Sequence, residues 1–458
     1  MYDASAGGKA KNDAAPVTSA ADFRPIHYLG SKLRFLPQIL SGIDEVDPSG
    51  GTLCDLFSGS GTVSLAAALK RRVISVDIQE YSRVIASAIL RPSSEQITPA
   101  ALRKSLHDSA LGEKLREAFG PLLALEVRGL EQAARGNLEI IRAIIEDGSV
   151  VAAQQGEWSG HKEVRKAIGE TLSALERLNL PLSATVASRH FGGAYFSYSQ
   201  AVWLDTIAAA SRSAPDVDLR LAALLSTASE IVNSVGKQFA QPLRLSDSSG
   251  SIKTHLTTKI LRDRRIDVID AYLRFVARFK SIASEREGNV AVRSDYADAI
   301  RELGGEVSVF YADPPYTRDH YSRFYHVLET LALGDDPAVA MSNLGQQMSR
   351  GFYRADRHQS DFCIKSRAPA AFDKLISGCA KWRRPLVLSY SAFDETRGGR
   401  PRLLGIGDLR QIAEQHYGTV SVLELNGGQH SKLTSNEINK GSGTTTEVLF
   451  LCQNPQVM

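Results

Sequence analysis

The 458-residue chain lacks the features that mark several large protein classes. It has only four cysteines and no C-x-x-C pair, which argues against a zinc site or a redox motif. No uncharged apolar run reaches the roughly 18 residues of a membrane span. The formal net charge is only +3, so contact with nucleic acid would need local clusters of Lys and Arg.

Residues 1–22 contain no apolar segment long enough for a signal peptide. We therefore expect a disordered tail there and a cytoplasmic protein that does not bind membranes. Hydrophobic residues make up 43% of the chain and charged residues 23%, as in a globular protein. The length favours two or three structural units.

Seven apolar or β-branched segments bounded by turn residues predict an α/β fold with seven strands, at 52–57, 72–77, 291–295, 307–312, 385–390, 420–425 and 447–452. Several are separated by helical patterns, which is typical of parallel βαβ units. The last two are joined by about twenty residues rich in Gly, Ser, Thr and Asn, and we expect them to pair as an antiparallel edge.

The interval between the second and third strands is far longer than a crossover needs. Residues 92–289 have apolar positions at three- and four-residue spacing, as in 219–232, which predicts a helical insertion. Large insertions over strand ends tend to carry function, so we favour a target-recognition domain over an enlarged structural cap. Residues 23–91 and 290–458 then form the catalytic domain.

A glycine-rich turn follows the first strand at Asp55-Leu56-Phe57-Ser58-Gly59-Ser60-Gly61-Thr62. Gly59 and Gly61 allow backbone amides to approach a polar ligand, although an ordinary strand-to-helix turn looks similar. Asp77 ends the next strand, where a carboxylate can accept hydrogen bonds from both ribose hydroxyls, so nucleoside binding is favoured. The turn lacks the G-K-[ST] of a triphosphate loop, and Ser64 at the third glycine position disfavours NAD without eliminating it.

The tetrapeptide Asp313-Pro314-Pro315-Tyr316 follows an apolar strand, at the sheet edge where open α/β folds bind ligands. The prolines fix the backbone and leave carbonyl oxygens free. The Asp313 carboxylate and the Pro314 carbonyl could accept both N–H groups of an exocyclic amine, and Tyr316 offers a ring on which a flipped base can stack. A rigid proline turn is the structural alternative.

With Tyr28-Leu29-Gly30-Ser31-Lys32 upstream, these motifs resemble the signature of the Dam-like, alpha-group adenine-N6 DNA methyltransferases. Their order is also similar: the Y-x-G-x-K element, the glycine turn, a recognition region and then D-P-P-Y. The resemblance covers 23–90 and 290–452, and family members usually have a smaller recognition region than 92–289. It implies a Rossmann-like class I methyltransferase fold and S-adenosylmethionine as the cofactor.

The resemblance also implies roles for single residues. Lys32 is similar to a lysine near the cofactor's methionine carboxylate and the catalytic aspartate, with Tyr28 and Gly30 in the same element. The methionine end would be surrounded by Asp55, Phe57, Gly59 and Gly61, the ribose by Asp77 and the adenine by Asp295. Catalysis would rest on Asp313, Pro314, Pro315 and Tyr316, with no metal.

The residues after the tetrapeptide divide into two parts. Arg318 to Tyr321 could close over an extruded base. The later apolar residues fall at helical spacing, which predicts core packing for Phe324, Val327, Leu328 and Leu331. We interpret His326 as a hydrogen-bonded structural histidine and not as a base.

Three other segments are candidates for contact with substrate. Residues 349–384 contain nine Lys or Arg and three Asp, with aromatic residues such as Phe352, Tyr353, Phe362 and Trp382 interleaved. That composition is typical of a nucleic-acid surface, and a solvated helix face fits it equally well. Residues 190–197 and 236–242 interrupt the helical insertion with glycines, and we expect both to be loops that face the active cleft.

Several functions stay open. Within the same class, the methyl acceptor could be adenine in RNA, N4 of cytosine or a protein glutamine, although D-P-P-Y favours adenine and the insertion favours duplex DNA. From another class, the chain could be a non-catalytic DNA- or cofactor-binding subunit of a defence or modification complex. Asp313, Tyr316, Asp55 and Asp77 favour an enzyme. We expect double-stranded DNA as the partner, with restriction or defence proteins as further candidates.

Overall fold

The computed structural model describes residues 23–28, 30–94, 96–284, 286–316, 318, 320–342, 347–391, 403–425 and 447–456. The expected disordered tail at 1–22 and the connection between the last two predicted strands lie outside the described residues. So do Leu29 of the Y-x-G-x-K element and Thr317 and Asp319 after the tetrapeptide.

Seven strands form a single sheet: β1 (Leu53–Asp55), β2 (Val73–Asp77), β3 (Val290–Arg293), β4 (Val309–Ala312), β5 (Leu386–Ser391), β6 (Tyr417–Leu425) and β7 (Glu447–Pro455). Their order is β3-β2-β1-β4-β5-β7-β6. Strands β1 to β5 are parallel, and β7 is antiparallel to both β5 and β6. The predicted class I methyltransferase sheet and the antiparallel pairing of the last two strands are confirmed. Of these two strands, only β6 lies at an edge of the sheet, because β7 is inserted between β5 and β6.

Strands β1 and β4 are neighbours at the centre of the sheet. The chain runs from β1 outward to β2 and β3 on one side, and from β4 outward on the other. Such a reversal of strand order leaves a crevice at the carboxyl ends of the two central strands. Asp55 ends β1 and Asp313 directly follows β4, so both carboxylates lie at this crevice.

Seventeen helices occupy the described part of the chain: α1 (Leu36–Val46), α2 (Thr62–Ala68), α3 (Glu80–Leu90), α4 (Pro99–His107), α5 (Ala110–Ala118), α6 (Gly120–Ala134), α7 (Glu139–Asp147), α8 (Val150–Gln154), α9 (Lys162–Arg177), α10 (Tyr198–Arg212), α11 (Val217–Ile231), α12 (Thr257–Asp263), α13 (Val268–Ile282), α14 (Tyr296–Leu303), α15 (Tyr321–Leu333), α16 (Ala368–Lys381) and α17 (Ile406–Glu414). None of them combines the length and the apolar character needed to cross a membrane.

Side chains of the central strands alternate between two hydrophobic cores, as strand geometry requires. In β4, Val309 and Tyr311 belong to one core, and Phe310 and Ala312 to the other. The first core is completed by α1, α2, α3 and α15, and the second by α14, α16 and α17. The sheet is therefore covered by helices on both faces.

The segment from α4 to α13 lies between β2 and β3 in the chain, and its described residues contain no strand. It has an inner part and an outer part. Helices α4, α10, α11 and α13 share the first core, with α11 packed on α3 and α13. Helices α5 to α9 build a third hydrophobic core around Leu115, Phe119, Ile144 and Ile168. The insertion is thus continuous with the sheet at its inner part and separate only at its outer part.

Residues 190–197 and 236–242 do not line the cleft, contrary to the sequence-based expectation. They pack against α15 instead. The Phe239 N–H donates to the Phe324 carbonyl oxygen at 3.1 Å, and the Tyr195 hydroxyl donates to the Phe239 carbonyl oxygen at 2.7 Å. Gly192 and Gly193 permit close packing of an irregular backbone after a π-helical turn at Ala187–Phe191, whereas Gly236 is exposed.

Candidate active site

A cavity of about 470 Å³ lies at the carboxyl ends of β1, β2 and β4. This volume is in the range of cofactor sites. Eleven of the thirteen predicted site residues line it: Tyr28, Gly30, Lys32, Asp55, Phe57, Asp77, Asp295, Asp313, Pro314, Pro315 and Tyr316. Gly59 and Gly61 do not line the cavity, although Ser58, Ser60 and Thr62 beside them do.

The glycine turn between β1 and α2 explains why the two glycines matter without lining the cavity. Gly59 and Gly61 have φ values of +53° and +74°, in the left-handed region. A Cβ at Gly59 would lie 2.5 Å from the Tyr28 hydroxyl oxygen, and one at Gly61 would lie 2.5 Å from Ile89 Cδ1. The turn therefore needs both the backbone conformation and the small size of glycine.

Asp77 ties the glycine turn to the end of β2. Its Oδ2 accepts the Gly59 N–H and its Oδ1 accepts the Gln79 N–H, each at 2.9 Å. Burial raises the pKa of Asp77, and these backbone hydrogen bonds oppose the rise. The carboxylate thus shapes this part of the cavity through backbone donors.

Asp55 is buried at the base of the cavity. Its Oδ2 accepts a hydrogen bond from the Ser64 hydroxyl at 2.7 Å, whereas Oδ1 and the nearby Ser58 hydroxyl have no hydrogen-bond partner among the described residues. The pKa of Asp55 is raised to about 7, chiefly by burial; the Ser64 hydrogen bond opposes the rise, and the charges of Asp313 and Asp77 contribute to it. Buried polar atoms without partners are costly, so these two are suited to the polar groups of a ligand.

The rings of Phe57, Tyr296 and Phe362 form one wall of the cavity. We call these three rings, together with Asp77 and Asp295, the aromatic end of the cavity. Phe57 lies 5.4 Å from Tyr296 and 5.6 Å from Phe362 between ring centroids. Asp295 caps α14 by accepting the Ala297 N–H at 2.9 Å. A flat apolar wall beside a carboxylate suits a purine base that carries N–H donors.

The opposite end of the cavity is charged, and we call Lys32, Asp313 and Tyr316 the charged end. The Lys32 ammonium lies 2.9 Å from Asp313 Oδ2 and 3.3 Å from Glu447 Oε2. Lys32 is only 5% exposed. Burial alone would lower the pKa of Lys32, but Asp313 and Glu447 raise it well above its ordinary value. The Y-x-G-x-K and D-P-P-Y elements therefore meet through an ion pair.

Sequence reasoning missed Glu447, although it touches two predicted site residues. It is the first residue of β7 and accepts a hydrogen bond from the Tyr316 hydroxyl at 3.1 Å. Only one cue was available, a carboxylate at the start of an otherwise apolar strand. Phe362 and Tyr321, which also line the cavity, were likewise not assigned to the cofactor site.

The residues after the tetrapeptide largely follow the predictions. His320 and Tyr321 line the cavity. The predicted core packing is confirmed, since the side chains at helical spacing are all buried: Phe324, Val327, Leu328 and Leu331. His326 is confirmed as a structural histidine, because its Nε2 hydrogen-bonds the Phe239 carbonyl oxygen at 3.1 Å. Burial lowers the pKa of His326 to about 3.

The basic and aromatic segment 349–384 does not form one surface. Phe362, Arg367 and Lys374 line the cavity. Arg354 is buried in ion pairs with Asp335 and Asp356, so its charge serves the fold. The segment therefore contributes to the cavity wall and to internal packing.

All four cysteines are unpaired and buried, as expected for small apolar side chains. Within the described ranges, no group of three or more His, Cys, Asp or Glu side chains is placed to hold a metal ion. The titratable groups that line the cavity are carboxylates, tyrosines, the buried Lys32, the histidines His320 and His358, and the basic side chains of Arg367 and Lys374.

Comparison with protein families gives a match to the model described as D12 class N6 adenine-specific DNA methyltransferase, over residues 28–119 and 272–378. The matched segments contain the Y-x-G-x-K element, the glycine turn and the tetrapeptide. Residues 120–271, which include most of the insertion, fall outside the match. No solved structure matches this chain.

Two curated proteins are similar to parts of the chain. "Modification methylase LlaI" from Lactococcus lactis subsp. lactis is 36% identical over 77 residues, which are 17% of this chain and 11% of that protein. "Type II methyltransferase M.NlaIII" from Neisseria lactamica is 24% identical over 167 residues, which are 36% of this chain and 43% of that protein. The chain thus spans less than half the length of each of these relatives.

Proposed function

We propose that the chain is a D12 class N6 adenine-specific DNA methyltransferase, which transfers a methyl group from S-adenosylmethionine to N6 of a flipped-out adenine in DNA. One observation carries the proposal. The glycine turn and the D-P-P-Y tetrapeptide line a single cavity, and the buried Lys32–Asp313 ion pair joins the upstream motif to the tetrapeptide.

The residues present fit the cofactor. At the base of the cavity, the unpartnered Asp55 Oδ1 and Ser58 hydroxyl suit the ammonium group of its methionine part. The aromatic wall suits its adenine, and the carboxylate of Asp295, which lines the same cavity, would accept from the exocyclic amine. Asp77 is the carboxylate at the end of β2 suited to ribose hydroxyls. We assign Asp55, Asp77, Asp295 and Phe57 to cofactor binding on these grounds.

When bound, S-adenosylmethionine supplies a methyl group on a positively charged sulfur, and the N–CH₃ bond forms as the S–CH₃ bond breaks with its electron pair left on sulfur. Asp313 and the Pro314 carbonyl accept the two N–H groups of the target amine, which favours a pyramidal nitrogen with an available lone pair. The nitrogen becomes acidic only after methyl transfer, so Asp313 need not remove a proton beforehand. Positioning and electrostatics then account for most of the rate.

Lys32, Pro315 and Tyr316 would hold the Asp313 carboxylate, the Pro314 carbonyl and the flipped base in position. Lys32 holds Asp313 at 2.9 Å, which limits rotation of the carboxylate. Pro315 keeps the tetrapeptide rigid, because its φ angle is locked. Tyr316 lines the cavity with its hydroxyl anchored to Glu447, and its ring is the surface we assign to the flipped base.

The insertion is the candidate for target recognition. Its outer part has its own hydrophobic core and falls largely outside the residues that match the family model. A large segment that lies outside the residues matching the family model is suited to reading a DNA sequence specific to this protein. The names of both relatives refer to methylation in modification systems, so we propose that the protein protects cytoplasmic host DNA beside a restriction partner.

Modification-sensitive sequencing of host DNA tests the proposal. We expect N6-methyladenine at one sequence context when the wild type is expressed, and none with Asp313→Ala. Cofactor affinity measured by calorimetry should stay within about twofold in the variant, because Asp313 acts on the target amine. Methylation at N4 of cytosine, or on RNA only, would replace the substrate, and an inactive wild type that still binds cofactor would support the subunit alternative.

A further inference from the structure

Glu329 is a buried carboxylate that none of the assigned roles uses. It lies on α15, the helix that follows the tetrapeptide, and it is 5% exposed. Its Oε1 accepts the N–H of Glu80 and its Oε2 accepts the N–H of Tyr81, each at 3.0 Å. Burial raises the pKa of Glu329, and these two backbone hydrogen bonds oppose the rise. Glu329 therefore joins α15 to the first turn of α3.

The first turn of α3 forms part of the cofactor cavity. Gln79 and Tyr81 line the cavity together with Asp77. The first N–H groups of a helix have no acceptor within the helix itself. Gln79 stands at the N-cap of α3, and its side chain makes no capping hydrogen bond. The acceptors for this turn therefore come from outside the helix.

Two carboxylates divide three successive backbone N–H groups at this turn. Asp77 accepts the N–H of Gln79 at 2.9 Å, and Glu329 accepts the next two along the chain. Each oxygen of a carboxylate can accept a second hydrogen bond. Because Asp77 lines the cavity and serves only one N–H of α3, it keeps acceptor positions for the hydroxyls of a ribose.

Loss of Glu329 would change the demands on Asp77. The N–H groups of Glu80 and Tyr81 would lose their acceptors, and the positive end of the α3 dipole would lose a compensating charge. Asp77 is a carboxylate already bonded to this turn, so we expect it to be drawn toward the helix. An oxygen that turns toward the helix is withdrawn from the cavity.

We propose that Glu329 is a positioning residue, which satisfies the start of α3 and thereby leaves Asp77 free to bind the ribose hydroxyls of the cofactor. The inference rests on the proposed function, in which Asp77 is assigned to the ribose. Arg293, the last residue of β3, supports the same turn. Its guanidinium lies 3.7 Å from Glu329 Oε1 and donates to the Ile78 carbonyl oxygen at 3.3 Å. The connection from β2 to α3 is thus held from α15 and from β3.

A purely structural helix cap is the competing explanation. Both explanations predict that loss of Glu329 lowers stability, so the melting temperature does not separate them. They differ in how the site distinguishes two ligands, S-adenosylhomocysteine and its 2′-deoxy analogue, which lacks one ribose hydroxyl. A general loss of shape weakens both ligands by the same factor. Withdrawal of Asp77 weakens only the ligand that has the hydroxyl.

Calorimetry with both ligands tests the inference without turnover. We expect the wild type to bind S-adenosylhomocysteine about tenfold to thirtyfold more tightly than the 2′-deoxy analogue, because a hydrogen bond to a charged group is lost. Glu329→Gln keeps the size of the side chain but offers one acceptor oxygen to two N–H groups. The ratio of the two Kd values should then fall to about threefold or less.

The matched control is Glu80→Gln. This change removes a carboxylate from the same turn, where the Glu80 side chain pairs with Arg83, and it leaves both oxygens of Glu329 in place. The Kd ratio should stay at its wild-type value. In the background of Asp77→Asn, which removes the group through which Glu329 acts, Glu329→Gln should cause no further change of the ratio.

Glu329→Asp is the second variant, for the case that Glu329→Gln does not fold. Its carboxylate is one methylene shorter, so we expect it to reach only one of the two N–H groups and to lower the ratio about twofold or more. A wild-type ratio in either folded variant makes Glu329 a structural cap and overturns the inference. A further fall of the ratio in the Asp77→Asn background also overturns it.

Failure of the inference differs from failure of the proposed function. A wild type that binds both ligands equally would remove Asp77 from the ribose and overturn the inference, even if the protein methylates adenine in DNA. If the wild type does not methylate adenine in DNA, the proposed function fails, and the Kd ratio still reports whether Glu329 acts through Asp77.

Discussion

The two ends of the cavity hold their carboxylates in different ways. At the aromatic end, Asp77 accepts the backbone N–H groups of Gly59 and Gln79, and Asp295 accepts that of Ala297. At the charged end, Asp313 is held by the side chain of Lys32 and Glu447 stands behind it. One end is therefore shaped by local backbone and the other by side chains from three distant segments.

This difference matches the two tasks we propose. Binding a nucleoside requires a stable shape, and backbone donors supply it. Methyl transfer to an amine requires a set charge and orientation, and ionised side chains supply the charge. The two ends should therefore respond differently to mutation, with the aromatic end affecting affinity and the charged end affecting rate.

The largest effect should come from Asp313→Asn, which keeps the shape of the side chain and removes its charge. We expect kcat to fall about a thousandfold, because an amide presents an N–H donor where the target amine needs an acceptor. Labelled methyl transfer measures the rate and calorimetry the cofactor affinity. Asp295→Asn should retain kcat at saturating cofactor. If Asp313→Asn and Asp295→Asn lowered kcat equally, the claim that the charged end sets the rate and the aromatic end the affinity would be wrong.

Gly59→Ala should destabilise the fold by about 2–4 kcal/mol, since the new Cβ meets the Tyr28 hydroxyl and the backbone is left-handed. Gly50→Ala is the matched control, with φ of +68° and no atom within 4 Å of the added Cβ. It should cost only about 1 kcal/mol. Urea unfolding measures both variants. Similar losses would mean that contact with Tyr28 does not shape the turn.

Asp77→Asn should weaken cofactor binding about tenfold to thirtyfold while kcat at saturation stays within about twofold. An asparagine has one acceptor oxygen, so it cannot satisfy both the Gly59 and the Gln79 N–H groups. Calorimetry and single-turnover rates separate the two quantities. A fall in the single-turnover rate with unchanged affinity would assign Asp77 to the chemistry of the charged end.

The smallest effect that we expect is a pH dependence of cofactor affinity, which follows from the raised pKa of Asp55. Its pKa of about 7 in the free protein means that it is ionised above pH 7 and protonated below. The cofactor's ammonium group favours the ionised form, so affinity should fall as the pH decreases, by about tenfold between pH 8 and pH 6. Asp55→Asn should bind with little dependence on pH. A wild-type Kd that is flat across this range contradicts the assignment.

Much of the aromatic end could be predicted from the sequence, because its parts are local. The glycine turn, Phe57 and Asp77 lie within one βα unit, and the tetrapeptide directly follows a recognisable strand. Phe362 could not be predicted there, since it approaches Phe57 only when the distant 349–384 segment folds over the sheet edge. The expected cleft loops at 190–197 and 236–242 were wrong for a similar reason, because glycine signals an irregular backbone but not its neighbours.

Hydrophobic period and turn chemistry are local properties, so the sequence alone was enough to predict the seven strands, the helical character of the insertion and the motifs around Asp55 and Asp313. The position of Glu447 behind Lys32 and the core that the inner insertion helices share with the sheet depend on contacts between distant segments. For Glu447, strand order accounts for this. Insertion of β7 beside β5 brings its first residue to the central crevice, where burial turns an ordinary glutamate into part of a charged cluster.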